Sequence, residues 1–532
     1  MCRFFQNRQV YGRIGFFFLR SRKIPLYKTL HGWYNYYSII APWFTFFVKK
    51  AGIAGAILQK ITKEMYSMSE KTIPPFGIKD KLGYMFGDLG NDFTFILSSS
   101  FLLKFYTDVM GVSAGVVGVI MMAARFVDAF TDVAMGRIVD RSRPTKNGKF
   151  RPWLLRMCGP VAIMSFLMYQ SSLAGISYGA KVAFLAVTYI LWGSVFYTGV
   201  NIPYGSMASA ISADPGDRQS LSTFRTMGGM LAGGFVTAGV PMLVYDKVNG
   251  NEVMNGGRFT LIAGIFSVLA IVCYLLCFAM TKERVHAEVS EVQRQENSVG
   301  RMFGNAFKNR ALISIIVASV IMLLAQLTMQ SMCNYVFPNY YGNAKAQSVS
   351  TLVMGAGMLL AAAVAKPLSR RIGKAELSVI TNIFAGVCNI VLLVLRPANV
   401  WVFVAFQFLA WLGLGMFSMV SWALITDVID YAELKNGIRE DGSVYALYSF
   451  ARKLGQAASS GLTGLLLSMI GYTQATAFDP KVTNGIFTIS TLVPAVGFLL
   501  LAAVLWFWYP LHKEQVDANV QALKVKHESE NK

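Results

Sequence analysis

The chain has 532 residues, 54% of them hydrophobic and 14% charged, with a mean hydropathy of +0.47, where an ordinary soluble domain carries about 25% charged residues. Its net charge of +21 does not point to nucleic acid, because residues 1–67 alone supply +10 and no nucleic-acid motif accompanies the rest. Apolar stretches near or above the ~18-residue spanning length recur from Leu97 to Trp508, which excludes a soluble protein and predicts a polytopic one.

Residues 1–67 hold eleven Lys or Arg and one acid, Glu64. Their apolar stretch near 38–48 is too short to span, and no small-residue cleavage site of signal-peptide type accompanies it. We expect this basic leader to be absent from the native protein. Lys63-Glu64 can be encoded AAG-GAG, a ribosome-binding sequence three codons ahead of Met68, the expected start.

Twelve helical spans are then predicted, over 82–106, 112–139, 152–174, 180–209, 221–245, 258–281, 311–338, 347–370, 375–396, 399–430, 443–471 and 484–509. Lys and Arg crowd alternate connections: Arg137 to Arg151, Lys282 to Arg310, Lys366 to Lys374, Lys435 to Arg439, and the tail with Lys513, Lys524 and Lys526. The connections between them, such as GNAKAQ (342–347) and DPKVTNG (479–485), are short or nearly neutral. The positive-inside bias then places both ends of the core, and the 282–310 loop, in the cytoplasm; the expected location is a bacterial inner membrane. The long polar loop 282–310 divides six spans from six, and the basic loops 136–153 and 366–376 resemble each other at the same place in each half. The expected fold is therefore all-α. It has an N-terminal bundle over 68–281, a C-terminal bundle over 311–509, a cytoplasmic tail over 510–532, and a site between the bundles near the midplane.

A charged side chain in the hydrocarbon core costs about 2.5–3.5 kcal/mol even on the lenient insertion scale, so each needs a reason. Span 1 opens GYMFGDLGNDF, with Asp88 and Asp92 one turn apart and Asn91 alongside. Such groups bind vicinal sugar hydroxyls; alternatively Asp88 caps a neighbouring helix at the membrane surface. Span 2 carries ARFVDAFTDVAMGRIVD, in which Arg125, Asp128 and Asp132 share one face and Thr131 adds a hydroxyl. Two carboxylates one turn apart supply hard oxygen ligands to a small cation, or hold and release a proton. The plainer reading is an Arg125–Asp128 pair that only locks helices, which leaves the second acid without a partner.

Further along, span 4 (WGSVFYTGVNIPYGSM) contributes Thr198, Asn201 and the carbonyl freed by Pro203. Span 5 buries Arg225, and its Gly229 and Gly233 read as a helix-packing pair. In spans 10 and 11, Asp427 and Asp430 suit a gate or salt bridge, and Lys453, flanked by Ala, Leu and Gly, suits a ligand role. No GxxxxGK(S/T), GxSxG or HExxH is present, and the four histidines (His31, His286, His512, His527) fall in loops or tails. Five of the six cysteines fall in spans, with no CxxC. Neither an enzyme nor a cofactor is expected.

These residues resemble the glycoside–pentoside–hexuronide:cation symporters, the melibiose-permease-like branch of the major facilitator superfamily. The similarity covers about residues 76–510. It is carried by GYMFGDLGNDF, by the long run FYTDVMGVSAGVVGVIMMAARFVDAFTDVAMGRIVDRSRPTKNGKFRPW, and by NIPYGSM, DPGDRQSLSTFR, DVIDYAEL and FARKLGQA. The resemblance implies a coupling-cation site of Asp128 and Asp132 with Thr131 and Thr198, the two acids holding the metal if the ion is Na+. It also implies that Asp92, Arg225 and Asn201 face the sugar and that Lys453 links the two sites. Asn201 stands where melibiose permease has an acid, and Thr131 where it has an amide, so the sugar and the choice between Na+ and H+ stay open. The expected activity is import of a small glycoside by cation symport through alternating access. The basic 136–153 loop and acids such as Asp140 are expected to act as gate contacts, and the protein is expected to be monomeric. An uncoupled sugar facilitator, an amphiphile carrier with a lateral apolar opening, and a sugar sensor without turnover are the rival readings.

Overall fold

The computed structural model describes residues 74–285, 309–436 and 441–530. The leader, most of the middle loop and the 437–440 part of a basic connection lie outside them. Helices α1 Ile78–Asp108, α2 Ala114–Arg141, α3 Arg151–Leu167, α4 Tyr178–Ile211, α5 Pro215–Val244 and α6 Gly256–Met280 form the first half. Helices α7 Arg310–Tyr340, α8 Ala344–Ile372, α9 Lys374–Leu395, α10 Val400–Asn436, α11 Asp441–Met469 and α12 Pro480–Trp508 form the second, and α13 Lys513–Glu530 follows as a tail helix.

Among the described residues, nine helices are long and apolar enough to cross a membrane. The other three of the twelve are α1, α3 and α11. Helix α1 carries Asp88, Asp92, Lys104 and Asp108, α11 carries Arg452 and Lys453, and α3 is only 17 residues long. Polar cargo is what lowers the hydropathy of α1 and α11, and such cargo needs neighbours.

Packing repeats between the halves. Helix α1 lies against α5 and α6, and α6 against α3; in the same order α7 lies against α11 and α12, and α12 against α9. Across the halves, α2 packs on α11, α5 on α8 and α1 on α7. The α2–α11 crossing is close because both helices bring glycine: a Cβ on Gly118 would stand 2.8 Å from the Ser460 carbonyl oxygen and 3.0 Å from Gly464 Cα. The close approach of α5 to α1 runs through Gly228, whose Cβ would meet the Met85 carbonyl oxygen at 2.5 Å. The expected Gly229/Gly233 pair is not the contact; Gly229 instead leaves room for the Asp92 and Asp88 carboxylates, 2.7 and 3.2 Å from its would-be Cβ.

Two local departures from the sequence expectation have clear causes. Helix α3 stops at Leu167, not near 174, and a short 3-10 turn, Ser171–Gly175, follows it. The α5–α6 connection, in a fold expected to be all-α, is a hairpin of β1 Tyr245–Val248 and β2 Asn251–Met254, with Tyr245 opposite Met254. Its turn residues Asn249 and Gly250 both have positive φ (51° and 84°), the requirement of a type I′ turn. The Glu252 carboxylate accepts from the Ala344 backbone N–H, so this hairpin of the first half holds the start of α8 in the second.

The hairpin end is where the halves are joined. The Lys104 side chain, 1% exposed, donates to Asn339 Oδ1 (2.5 Å) and Tyr472 hydroxyl (2.7 Å) and pairs with Asp108 at 2.7 Å. Tyr472 in turn donates to Asp108 at 2.7 Å, and Asn334 donates to the Ser100 carbonyl at 2.7 Å. At the opposite, basic end, ion pairs close within one half: Arg284–Asp80 at 2.8 Å and Lys374–Asp427 at 2.5 Å. There Glu283 accepts from the backbone N–H groups of Lys149, Phe150 and Arg151, which ties the 136–153 loop to its own bundle.

Candidate functional site

The chemistry gathers where α2 meets α4. A π-helical turn over Leu191–Tyr197 widens α4 just before Thr198, a distortion often found at functional sites. It leaves Ser194 and Thr198 facing α2, spaced four residues apart like the two acids. Ser194 donates to Asp128 Oδ1 at 2.5 Å and Thr198 donates to Asp132 Oδ1 at 2.9 Å. The second oxygen of each acid goes to a cation: Asp128 Oδ2 to Arg125 at 3.2 Å, and Asp132 Oδ2 to Lys453 of α11 at 2.6 Å. The locking pair Arg125–Asp128 therefore exists, but the second acid does not lack a partner; the other half supplies it. Arg125 is half-buried against Phe95 and Tyr189, its guanidinium 4.8 and 6.0 Å from their ring centres. Lys453 is different, since 47% of its side chain is exposed.

Thr131 sits between the two acids in sequence, yet its hydroxyl bonds the Val127 and Asp128 carbonyls of its own helix, at 3.3 and 3.2 Å. Asp128 with Ser194 and Asp132 with Thr198 thus form two hydroxyl–carboxylate pairs, like rungs of a ladder between α2 and α4. Thr198 shares its hydroxyl proton with the Gly193 carbonyl at 3.1 Å, so that oxygen keeps lone pairs for a ligand.

A second cluster joins α1 and α5. Arg225 donates to Asp88 Oδ1 at 2.9 Å and lies over the Tyr204 ring at 5.2 Å. Tyr204 stacks on Tyr84 with ring centres 4.5 Å apart. Asp88 is thus an ion-pair residue inside the protein and not a surface cap. Asp92, one turn on, has no hydrogen-bond or ion-pair partner among the described residues. Asn91 points elsewhere: it is 1% exposed and accepts from Tyr274 of α6 at 2.9 Å. Asn201 is half-buried, on the turn of α4 that follows Thr198. On the far side Arg452 lies over Trp422 and Tyr448, and Asp427 serves the Lys374 ion pair.

Between the halves lies a pocket of about 90 Å³ lined by α1, α2, α7 and α11, including Phe95, Arg125, Gln330, Gln456 and Ser459. Ser194, Gln330 and Gln456 escaped the sequence reading. Ser194 was legible from its spacing, four residues before Thr198 as Asp128 is before Asp132. The two glutamines are neutral amides in apolar helices, and only the meeting of the halves shows them facing one pocket.

Comparison with known proteins gives the following. The family profile described as MFS/sugar transport protein matches residues 83–513. The chain is 32% identical over 437 residues to the glucuronide carrier protein homolog of Escherichia coli (strain K12), covering 81% of this chain and 92% of that protein. It is 31% identical over 471 residues to the isoprimeverose transporter of Lactiplantibacillus pentosus, covering 87% and 95%. The solved D-xylose-proton symporter superposes with a TM-score of 0.57 at 13% identity, over 81% of this chain and 97% of that one, a likeness of fold.

Proposed function

Since this chain belongs to the MFS/sugar transport protein family, a family of transporters and not enzymes, we propose that it imports a small glycoside in symport with Na+ or H+. The glycoside is an oligosaccharide, a pentoside or a hexuronide. The relatives named above for a glucuronide and for isoprimeverose support that range.

The observation that carries the coupling is the Asp132–Lys453 pair. A carboxylate of the first half, already served by Thr198, is held at 2.6 Å by a half-exposed ammonium of the second half. On the reading that its basic end lies in the cytoplasm, the hairpin end is the outer one, closed while Lys453 serves as the internal cation. When the halves part on the outer side, Lys453 leaves with its bundle. Asp128 and Asp132 then share Arg125 alone, and an external Na+ or H+ takes the vacated place on the hydroxyl–carboxylate ladder. The sugar docks beside it, its hydroxyls donating to Asp92 and bonding Asn201, with Arg225 held for it by Asp88. Cation binding removes one negative charge from the shared pocket, which gives the two ligands a reciprocal coupling, typically 1–3 kcal/mol.

The test is uptake of a panel of labelled glycosides into proteoliposomes under a sodium gradient, a pH gradient, or neither. Accumulation under one gradient is expected, and Asp128→Asn is expected to equilibrate sugar without accumulating it. Full gradient-driven accumulation by Asp128→Asn would sink the cation assignment. Equilibration by the unaltered protein under every condition would make it a facilitator.

A further inference from the structure

A cavity of about 390 Å³ lies apart from the four acids of the first half. It lies between α1 and α5 of the first half and α7, α8 and α10 of the second, toward the hairpin end. Its walls carry Met230, Met354, Met358, Phe337 and Trp411, and most of the surface is apolar, with Asn334, Gln347, Ser350 and Thr351 among the polar lining. Thioether side chains adapt their shape to varied apolar partners, and aromatic rings offer faces for stacking. Two glycines keep the space free. A Cβ built on Gly234 or on Gly355 meets no atom within 4 Å, although both residues line the cavity.

Ser100 and Gln330 line both this cavity and the central pocket, so the two spaces meet there. The Gln330 amide has no hydrogen-bond partner among the described residues, which leaves it free to bind an oxygen at the junction. We propose that the α5–α8 cavity is an aglycone subsite, receiving the alkyl or aromatic group of a glycoside whose sugar ring is held by Asp92, Asn201 and Arg225 and reaches the junction at Ser100 and Gln330. This rests on the sugar reading given above. A lipid chain entering from the bilayer would need the apolar walls but not the polar junction, and the junction decides the assignment. The glycosidic oxygen lies at Gln330 and the aglycone points toward the closed, outer end.

The test uses the full-length protein in lipid nanodiscs, without alkyl-glycoside detergent, and calorimetric binding of paired methyl and phenyl glycosides of glucuronic acid, xylose and galactose. For a sugar that binds, the phenyl glycoside is expected to bind about tenfold tighter than the methyl one, from burial of the ring. In Gly355→Leu and in Gly234→Leu, each filling open space, that advantage is expected to shrink to about threefold or less while methyl-glycoside binding stays unchanged. The unchanged methyl binding also reports that each variant is folded, and the two substitutions sit on different helices. Equal affinities in the unaltered protein, or an advantage that survives both substitutions, overturns the subsite and leaves the sugar reading standing. Failure of every pair to bind overturns the sugar reading itself.

Discussion

Thr198 holds one proton between two acceptors, Asp132 Oδ1 and the Gly193 carbonyl, and its oxygen stays available to a third partner. Removing that oxygen removes one ligand of the proposed cation. Thr198→Val is expected to raise the cation concentration for half-maximal uptake about tenfold, a loss of the size of one good hydrogen bond, with cation-independent sugar binding unchanged. Uptake kinetics at graded Na+ and pH measure this, and an unaltered cation dependence would take Thr198 out of the site. Lys282, just past α6, sits partly buried near Arg151, Lys79 and Arg284. Burial first, then these cations, pushes its amine down to about 8. The folded state thus disfavours the charged form, so this group adds stability as pH rises from about 8 toward the ordinary lysine value and none below. Its amine is expected to acetylate at pH 8 ahead of exposed lysines, as read by mass spectrometry of limited acetic anhydride labelling. Sequence patterns exposed both acids, Arg125 and Thr198. They did not separate Asn91, which serves the core through Tyr274, from Asp92, because neighbouring helix positions point about 100° apart and only packing says which side is wet.

Helix α11 crosses α2 at Gly464 and Gly118, where a Cβ on Gly464 would run into the Ala114 carbonyl oxygen and stand 2.9 Å from Gly118 Cα. Backbone faces backbone there, so a side chain cannot swing aside. Gly464→Val is expected to hold the outer end apart and cut initial uptake about tenfold, from an overpacking cost of 1–3 kcal/mol borne by the closed state. The protein would still insert and fold, since within-half contacts are untouched; normal uptake by Gly464→Val would show that this crossing does not tighten during the cycle. Element boundaries were mostly legible, because the hydropathy of a span must match the bilayer. The π-helical turn in α4 was not. It answers to the fit of Ser194 and Thr198 against α2, a demand from outside the helix.

Across the whole molecule, Lys104, Asp108, Tyr472 and Asn339 bolt the two halves together at one end. Lys104→Met leaves the partly buried Asp108 without its cation, which costs more than the bare loss of the pair. The variant is expected to open outward more often. In a Cys2→Ser background, a membrane-impermeant maleimide applied from outside should then label Cys333, which lines the α5–α8 cavity, several times faster. Adding Asp108→Leu is expected to restore part of the protection; equal labelling in all three forms would mean that the bolt does not hold the outer gate. The sequence by itself determined the membrane class, the all-helical fold and the acids worth watching. All of these follow from local rules: apolar length, charge bias, and the cost of a charge in hydrocarbon. Tertiary structure alone decided that Asp132 meets Lys453 from the other half, that Arg225 belongs to Asp88, that two glutamines share one pocket, and that an apolar cavity adjoins it. Each joins residues far apart in the chain, and which partners meet is settled by how the helices pack, which no single helix's pattern contains.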